Sequence, residues 1–516
     1  MSIETTLATF RERLGEVVDI NQATSILHWD QEVFMPPKGA AARGQQLATL
    51  SAIAHRYFTS EEMGRLLAEL TEAADQLDPD DAKLVAETHH DYERATKLPE
   101  SFVQEFALVQ SAAYEAWANA REEDDFPAFQ PHLEKILDLL RRKADYLGYE
   151  GSPYNALIED YERGMTAETL RGIFDVVAER QSALVERVTS APQPDCSWTE
   201  GEWDEDTQWA MTLRVLADMG YDFEAGRQDK SVHPFTTSFG ARDVRLTNRV
   251  NKSELFSALY GAAHEGGHGL YEQGFLDRDR RTPLADGISL GIHESQSRMW
   301  ENMIGRSLPF WEHYTPVLRD LHGGKLDGIA PEQFYQAVNR VRPSFIRVEA
   351  DECTYNLHVI LRFEIELDLV EGRIAVADIP DAWNAKVKQY LGLDVPSNTM
   401  GCLQDIHWSH GKHGLLPHLR ARKPLFSPDV RRDPPRPAGP LGRRTGGAFC
   451  PLTRVAPRAC PPAWTKETSG RTHPRHQRQG PNTGRLPGLS REQVRGTLRL
   501  GVGACSTVGW GLPHQR

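Results

Sequence analysis

The chain has 516 residues, 40% of them hydrophobic, and a formal charge of −14; that is enough apolar material for a sizeable core and enough length for several average domains or one large one. No run of 18 apolar residues occurs, and Met1 to Thr6 lacks a basic stretch leading into an apolar one, which argues against a membrane span and a secretory signal. Six scattered cysteines without paired spacing fit a reducing compartment, with the cytoplasm as default, and argue against a cysteine metal site.

In chain order, the first 410 residues read mainly as helix. Glu61 to Leu70 places apolar residues at helical spacing among strong helix formers. Phe129 to Tyr146 carries Leu133, Ile136, Leu137 and Leu140 on one stripe, and Thr169 to Val188 is entered through Thr166, Ala167 and Glu168. The best strand signal is Val244 to Thr247. Ser253 to Tyr260 leads helically into Ala263-His264-Glu265-Gly266-Gly267-His268, Gly291 to Asn302 reads as another helix, and Leu357 to Val370 as a dense apolar one. With no internal repeat and no linker, residues 1–411 are expected to form one large, mainly α unit.

Composition changes abruptly near Gly411. Residues 411–516 hold 20 basic and 4 acidic groups, against 39 and 69 in residues 1–410, together with 15 Pro and 15 Gly. Such a balance falls in the low-complexity range. A basic tail ordinarily suggests nucleic acid, but this one lacks the aromatic interleaving of single-strand binders, and no nucleic-acid partner is expected.

The strongest local signal is His264 and His268 at i and i+4, which puts both imidazoles on one helix face, with Glu265 between them able to contact a metal-bound water. Zinc suits nitrogen and oxygen ligands and lowers the pKa of its water toward neutrality. A structural histidine pair is the bland alternative, and Gly266 and Gly267 weaken the helix. A third ligand is needed, and Glu294, about 25 residues on, is the best candidate. His293 competes for that role, but the two point about 100° apart on a helix.

Five further stretches accompany this one: His233-Pro234-Phe235; Asp243-Val244-Arg245-Leu246-Thr247; His293-Glu294-Ser295-Gln296-Ser297-Arg298; Ile346-Arg347-Val348-Glu349-Ala350-Asp351; and Gly401-Cys402-Leu403-Gln404-Asp405-Ile406-His407-Trp408. Together with Leu27-His28-Trp29-Asp30 and Met35-Pro36, residues 1–411 resemble the thermostable carboxypeptidases of the carboxypeptidase Taq type. The resemblance implies one Zn2+ per chain on His264, His268 and Glu294, with Co2+ a possible substitute, and Glu265 as general base. It implies a two-lobed helical metallopeptidase fold with a central substrate groove, a homodimer, and broad removal of single residues from peptides with a free C-terminus. It assigns Arg347 to the substrate's terminal carboxylate, which a guanidinium binds bidentately; a surface ion pair with Glu349 or Asp351 is the alternative. His233, Arg245, Gln404 and His407 are expected around the groove. His407 is read as an oxyanion donor or as a histidine packed beside Trp408. A zinc endopeptidase or aminopeptidase would share the metal ligands but has no need of Arg347.

After Ser409-His410-Gly411 the sequence leaves the family pattern. Permitted codons for Lys412 to Leu425, read one base later, encode S-T-G-Y-F-P-T-Y-A-L-G-N-L, similar to the family's continuation. Residues 412–516 are therefore read as an out-of-frame, disordered Arg/Pro/Gly-rich tail that displaces the family's last helices, and the alternative function is an inactive zinc-binding remnant.

Overall fold

The structure, a computed structural model, describes residues 2–414. Its helices are α1 (Ile3–Val33), α2 (Ala40–Phe58), α3 (Glu61–Glu72), α4 (Pro79–Ala95), α5 (Glu100–Glu123), α6 (Phe126–Leu147), α7 (Pro153–Ile158), α8 (Ala167–Thr189), α9 (Glu205–Met219), α10 (Ser257–Gln273), α11 (Leu290–Arg298), α12 (Leu308–His322), α13 (Pro331–Val338), α14 (Tyr355–Val370) and α15 (Ile379–Leu391). The mainly α expectation is met, and the helices read from periodicity at 61–70, 129–146, 169–188 and 357–370 are all present with slightly wider bounds. Local chemistry sets several starts: the Thr166 hydroxyl accepts from the Thr169 amide at the head of α8, and Ser289 accepts from Ile292 at the head of α11. Residues 253–256, expected to be helical, form turns instead, and α10 begins at Ser257 without a side-chain cap.

Three apolar clusters organise the body. The largest joins α5, α6, α8, α14 and α15 through Trp117, Phe129, Phe174, Phe363 and Trp383. A second joins α9, α10, α12 and α13, where Trp311 stacks on Phe334 with ring centroids 5.0 Å apart. The third closes α1, α3 and α4 around Phe10, Met63 and Leu66. A small sheet lies over α10: β1 (Gly226–Lys230) runs parallel to β3 (Val244–Asn248), and β2 (Thr236–Ser238) pairs antiparallel with β3 on its other side. A cavity of about 810 Å³ is lined by α1, β2, α10, α11 and the segments around residues 340–351 and 406–412.

The two glycines inside α10 are required by packing. A Cβ on Gly267 would stand 2.6 Å from the Cα of Ser297, and one on Gly266 would stand 2.5 Å from a Leu216 methyl. Each glycine costs the helix about 1 kcal/mol relative to alanine; Gly267 lets α11 close on the side of α10 that carries the histidines, and Gly266 lets α9 close on the opposite side. Past Arg298, α11 widens into a π-helical turn, Met299–Ile304, a deviation common at functional sites. No described helix is long and apolar enough to cross a membrane.

Candidate active site

α10 and α11 meet so that His264, His268 and Glu294 each offer a ligand atom, all within 4.8 Å of one another. Glu294 Oε2 lies 3.6 Å from His264 Nε2 and 3.3 Å from His268 Nε2. Donors about 2.0–2.2 Å from a tetrahedral ion stand about 3.3 Å apart, so the spacing fits a single small cation. Both imidazoles are also held from behind. His264 Nδ1 is 2.8 Å from Glu301 Oε2, and His268 Nδ1 meets Nδ1 of His293, whose Nε2 is 2.7 Å from Glu272 Oε1. With Nε2 offered to a metal, each Nδ1 carries the proton and points at an acceptor, the usual backing of a ligating histidine. His293 is thus a support for His268 and not a rival to Glu294.

Arg298 completes this wall. Its Nε donates to Glu294 Oε1 at 2.9 Å, its Nη1 donates to Glu301 Oε2 at 3.1 Å, and Arg306 stands 3.7 Å from the other oxygen of Glu301. Four carboxylates (Glu265, Glu272, Glu294, Glu301) face two guanidiniums, leaving a surplus of two negative charges that one divalent cation would cancel. Burial works to raise the Glu294 carboxyl, but His264 and Arg298 outweigh it and hold it well below the usual range; Glu301 is drawn down to about 2 against burial, chiefly by Arg298. Burial pushes His268 down to about 4, which keeps its nitrogen free to bind.

Glu265 is 7% exposed and lines the cavity. Its Oε2 accepts a 2.6 Å hydrogen bond from the Thr236 hydroxyl of β2, which fixes the carboxylate. Burial raises its pKa above the ordinary value, toward the neutral range that suits a general base.

Across the cavity, Arg347 is 5% exposed and makes neither ion pair expected of a surface residue. Glu349 is taken by Arg249 at 2.9 Å, and Asp351 caps the amides of Cys353 and Thr354. Arg347 instead donates from Nη2 to Asp405 at 3.1 Å and from Nη1 to the Tyr355 hydroxyl at 3.0 Å. Asp405 is shared with Nε of the fully buried Arg362. Burial opposes charge on Asp405, but Arg347 and Arg362 overcome it and hold the carboxyl well below its ordinary range. Two guanidiniums against one carboxylate leave a net positive charge, and Arg347 keeps one hydrogen on each Nη to offer.

His233 and His407 line the cavity beside Arg347, with rings edge to face at 5.6 Å. Burial and then Arg347 push His233 down to about 4 and His407 well below its ordinary value, so both are neutral. His233 Nδ1 bonds the Pro234 carbonyl at 2.7 Å, while His233 Nε2 and His407 Nδ1 have no partner among the described residues. Trp408 stacks on His413, not on His407. Two of the residues expected around the groove do not line the cavity. Arg245 forks onto Asp243 at 2.8 Å and lies over the Trp29 and Phe239 rings, so it braces the wall from outside the cavity. Gln404 is 4% exposed and spends its amide on backbone: it accepts from the Arg347 amide at 2.8 Å and donates to the Phe345 carbonyl, so it shapes the loop and does not line the cavity. Sequence reasoning missed Thr236, Glu272, Glu301, Arg298 and Tyr355.

An inactive remnant finds no support: the three candidate ligands, Glu265 and Arg347 are all assembled within the described residues. The basic stretch 415–516 lies outside them.

The geometry agrees with what comparison with known proteins finds. A model of the carboxypeptidase Taq (M32) metallopeptidase family matches residues 9–419. Carboxypeptidase 1 of Bacillus subtilis is 37% identical over 418 residues, covering 81% of this chain and 83% of its own length. Thermostable carboxypeptidase 1 of Thermus thermophilus is 39% identical over 401 residues, covering 75% and 78%. The crystal structure of the M32 carboxypeptidase from Deinococcus radiodurans R1 superposes with a TM-score of 0.74 at 40% identity, covering 81% of this chain and 84% of that one. The chain belongs to the carboxypeptidase Taq (M32) family and is a metallocarboxypeptidase, a hydrolase of peptide bonds.

Proposed function

We propose that the metal is zinc, one ion per chain, held by His264, His268 and Glu294, and that the enzyme releases single residues of broad character from free peptide C-termini. The carrying observation is the opposition of charge across one cavity: a surplus of negative charge beside the three ligands and a net positive cluster at Arg347. Bound at the three ligands, zinc supplies a Lewis acid and lowers the pKa of a water toward neutrality. Glu265, steadied by Thr236, takes the proton of the attacking water and passes it to the leaving amine. Arg347 receives the substrate's terminal carboxylate on its two open hydrogens, and the neutral His407, whose Nδ1 has no partner among the described residues, is assigned as donor to the developing oxyanion. Only an exopeptidase acting at the C-terminus has use for that cation.

Free Cys196, Cys353 and Cys402 suit the cytoplasm, and the resemblance carries a homodimer with it. We also keep the frame slip at Lys412 and the division at residue 411 as part of the proposal. Among the described residues, His413, 1% exposed, has no hydrogen-bond partner on either ring nitrogen, and the exposed Lys412 has no carboxylate within ion-pair distance. Both follow the proposed slip directly; Lys412 is exposed, whereas at the buried place of His413 a small hydroxyl residue would fit better.

Mass spectrometry of an N-terminally blocked peptide incubated with the zinc-loaded protein tests the proposal. Successive loss of single C-terminal residues is expected; internal cleavage without trimming would point to the endopeptidase reading.

A further inference from the structure

Tyr355, the first residue of α14, is 3% exposed and reaches from the largest apolar core into the cavity. Its two ends touch the two halves of the site. The ring lies against the Arg298 guanidinium, whose central carbon stands 3.6 Å from the ring centroid. That guanidinium holds both Glu294, a candidate ligand, and Glu301, the support of His264. The hydroxyl accepts the 3.0 Å bond from Arg347 Nη1. Arg347 and Arg298 are therefore joined through one rigid side chain with only two rotatable bonds before its ring and hydroxyl.

We propose that Tyr355 is a positioning residue that ties the carboxylate-binding Arg347 to the metal-supporting Arg298, fixing the distance between the substrate's terminus and the ligand set. The spacing matters chemically because the scissile carbonyl of a C-terminal residue sits at a fixed number of bonds from its carboxylate. An exopeptidase must hold its carboxylate anchor and its metal in register, since errors near 1 Å cost about 100-fold in rate. The ring face restrains Arg298 by stacking and cation–π attraction. With one Nη1 hydrogen on the hydroxyl and one Nη2 hydrogen on Asp405, Arg347 keeps two hydrogens to offer. This inference rests on the reading of Arg347 given above.

The two ends are separable by substitution. Tyr355→Phe keeps the ring and loses the hydroxyl. Zinc affinity, measured by chelator competition on the purified protein, is expected to stay within about twofold, while KM for a C-terminally free peptide rises roughly 10- to 100-fold. Tyr355→Leu loses both contacts and is expected to weaken zinc roughly 10- to 100-fold as well, the usual cost of removing support behind a metal ligand. Arg347→Ala, assayed beside them, separates the two readings. A raised KM in Arg347→Ala with an unchanged KM in Tyr355→Phe overturns the coupling alone. So does a Tyr355→Leu protein that binds zinc as the parent does. An unchanged KM in Arg347→Ala overturns the carboxylate reading and the coupling with it. Should Tyr355→Leu fail to fold, the KM of Tyr355→Phe still decides.

Discussion

The two walls of the cavity are built differently. The metal wall is helix against helix: α10 presents His264 and His268 one turn apart, α11 presents Glu294, and Gly266 and Gly267 let the two elements and α9 close up. Its charge surplus is negative. The opposite wall sets a short 3-10 turn (Arg347–Glu349) and the irregular segment around Asp405 against Tyr355 and Arg362 of α14, and its central ion pair joins residues 58 positions apart, Arg347 and Asp405. Its charge surplus is positive. A metal needs several donors at fixed mutual distances, which helical spacing supplies; a carboxylate needs one oriented fork and an uncompensated charge, which a loop pinned by Gln404 and Asp405 supplies. Each wall carries the sign of charge opposite to what it binds.

The largest expected effect breaks the metal wall at its base. Glu265→Gln keeps shape and metal but removes the proton acceptor, so turnover is expected to fall about 10²- to 10⁴-fold or more with zinc content unchanged. Near-normal turnover with full zinc would remove Glu265 from the mechanism.

The corresponding break on the other wall costs stability. Asp405→Asn leaves Arg347 and Arg362, with side chains 6% and 1% exposed, without their shared counter-charge. Removing one partner of a buried pair costs about 3–5 kcal/mol, read as a fall in the denaturant midpoint. Because zinc affinity is set across the cavity, the refolded variant is expected to bind the metal as before; a midpoint that does not move would mean the triad is not a structural unit.

A smaller effect sharpens the boundary at residue 411. His413 has its pKa pushed down to about 3 by burial, against about 6.5 in the unfolded chain. The unfolded state therefore binds more protons between these values, so stability is fully present above about pH 6.5 and falls as pH drops toward 3, by about 1.4 kcal/mol per pH unit for this one group. His413→Thr is expected to flatten that part of the stability profile. An unchanged slope from pH 6.5 to 4 would show that His413 is not buried as described.

The same contrast explains what was legible in the sequence. Helices with clean periodicity were readable, and so were the i, i+4 histidines and Glu294, because helix geometry converts spacing directly into a shared face. Glu272 and Glu301 carried that signal too, four residues beyond His268 and seven beyond Glu294, but without the fold no apolar or metal pattern singled them out. The glycines of α10 read as a weakness because their reason, the close approach of Ser297 and Leu216, lies in other segments. β1 and β2 were missed because Gly226-Arg227-Gln228-Asp229-Lys230 and Thr236-Thr237-Ser238 have no apolar alternation; pairing with β3 makes them strands. On the loop wall, spacing said nothing. Arg347 was reached only through the family resemblance, which also set Arg245 and Gln404 around the groove without distinguishing lining from bracing.

The central claim is that opposite charge surpluses hold the substrate by its terminal carboxylate, and one measurement meets it directly. An N-terminally blocked peptide is offered to the zinc-loaded enzyme either as the free acid or as the C-terminal amide, for the parent protein and for Arg347→Ala. The amide cannot accept the bidentate pair and leaves the guanidinium uncompensated, a loss of about 2–5 kcal/mol, or roughly 30- to several-thousand-fold in kcat/KM. The account predicts that the parent strongly prefers the free acid and that Arg347→Ala erases the preference by slowing only that substrate. Equal cleavage of acid and amide by the parent, with zinc and Glu265 behaving as expected, would contradict it.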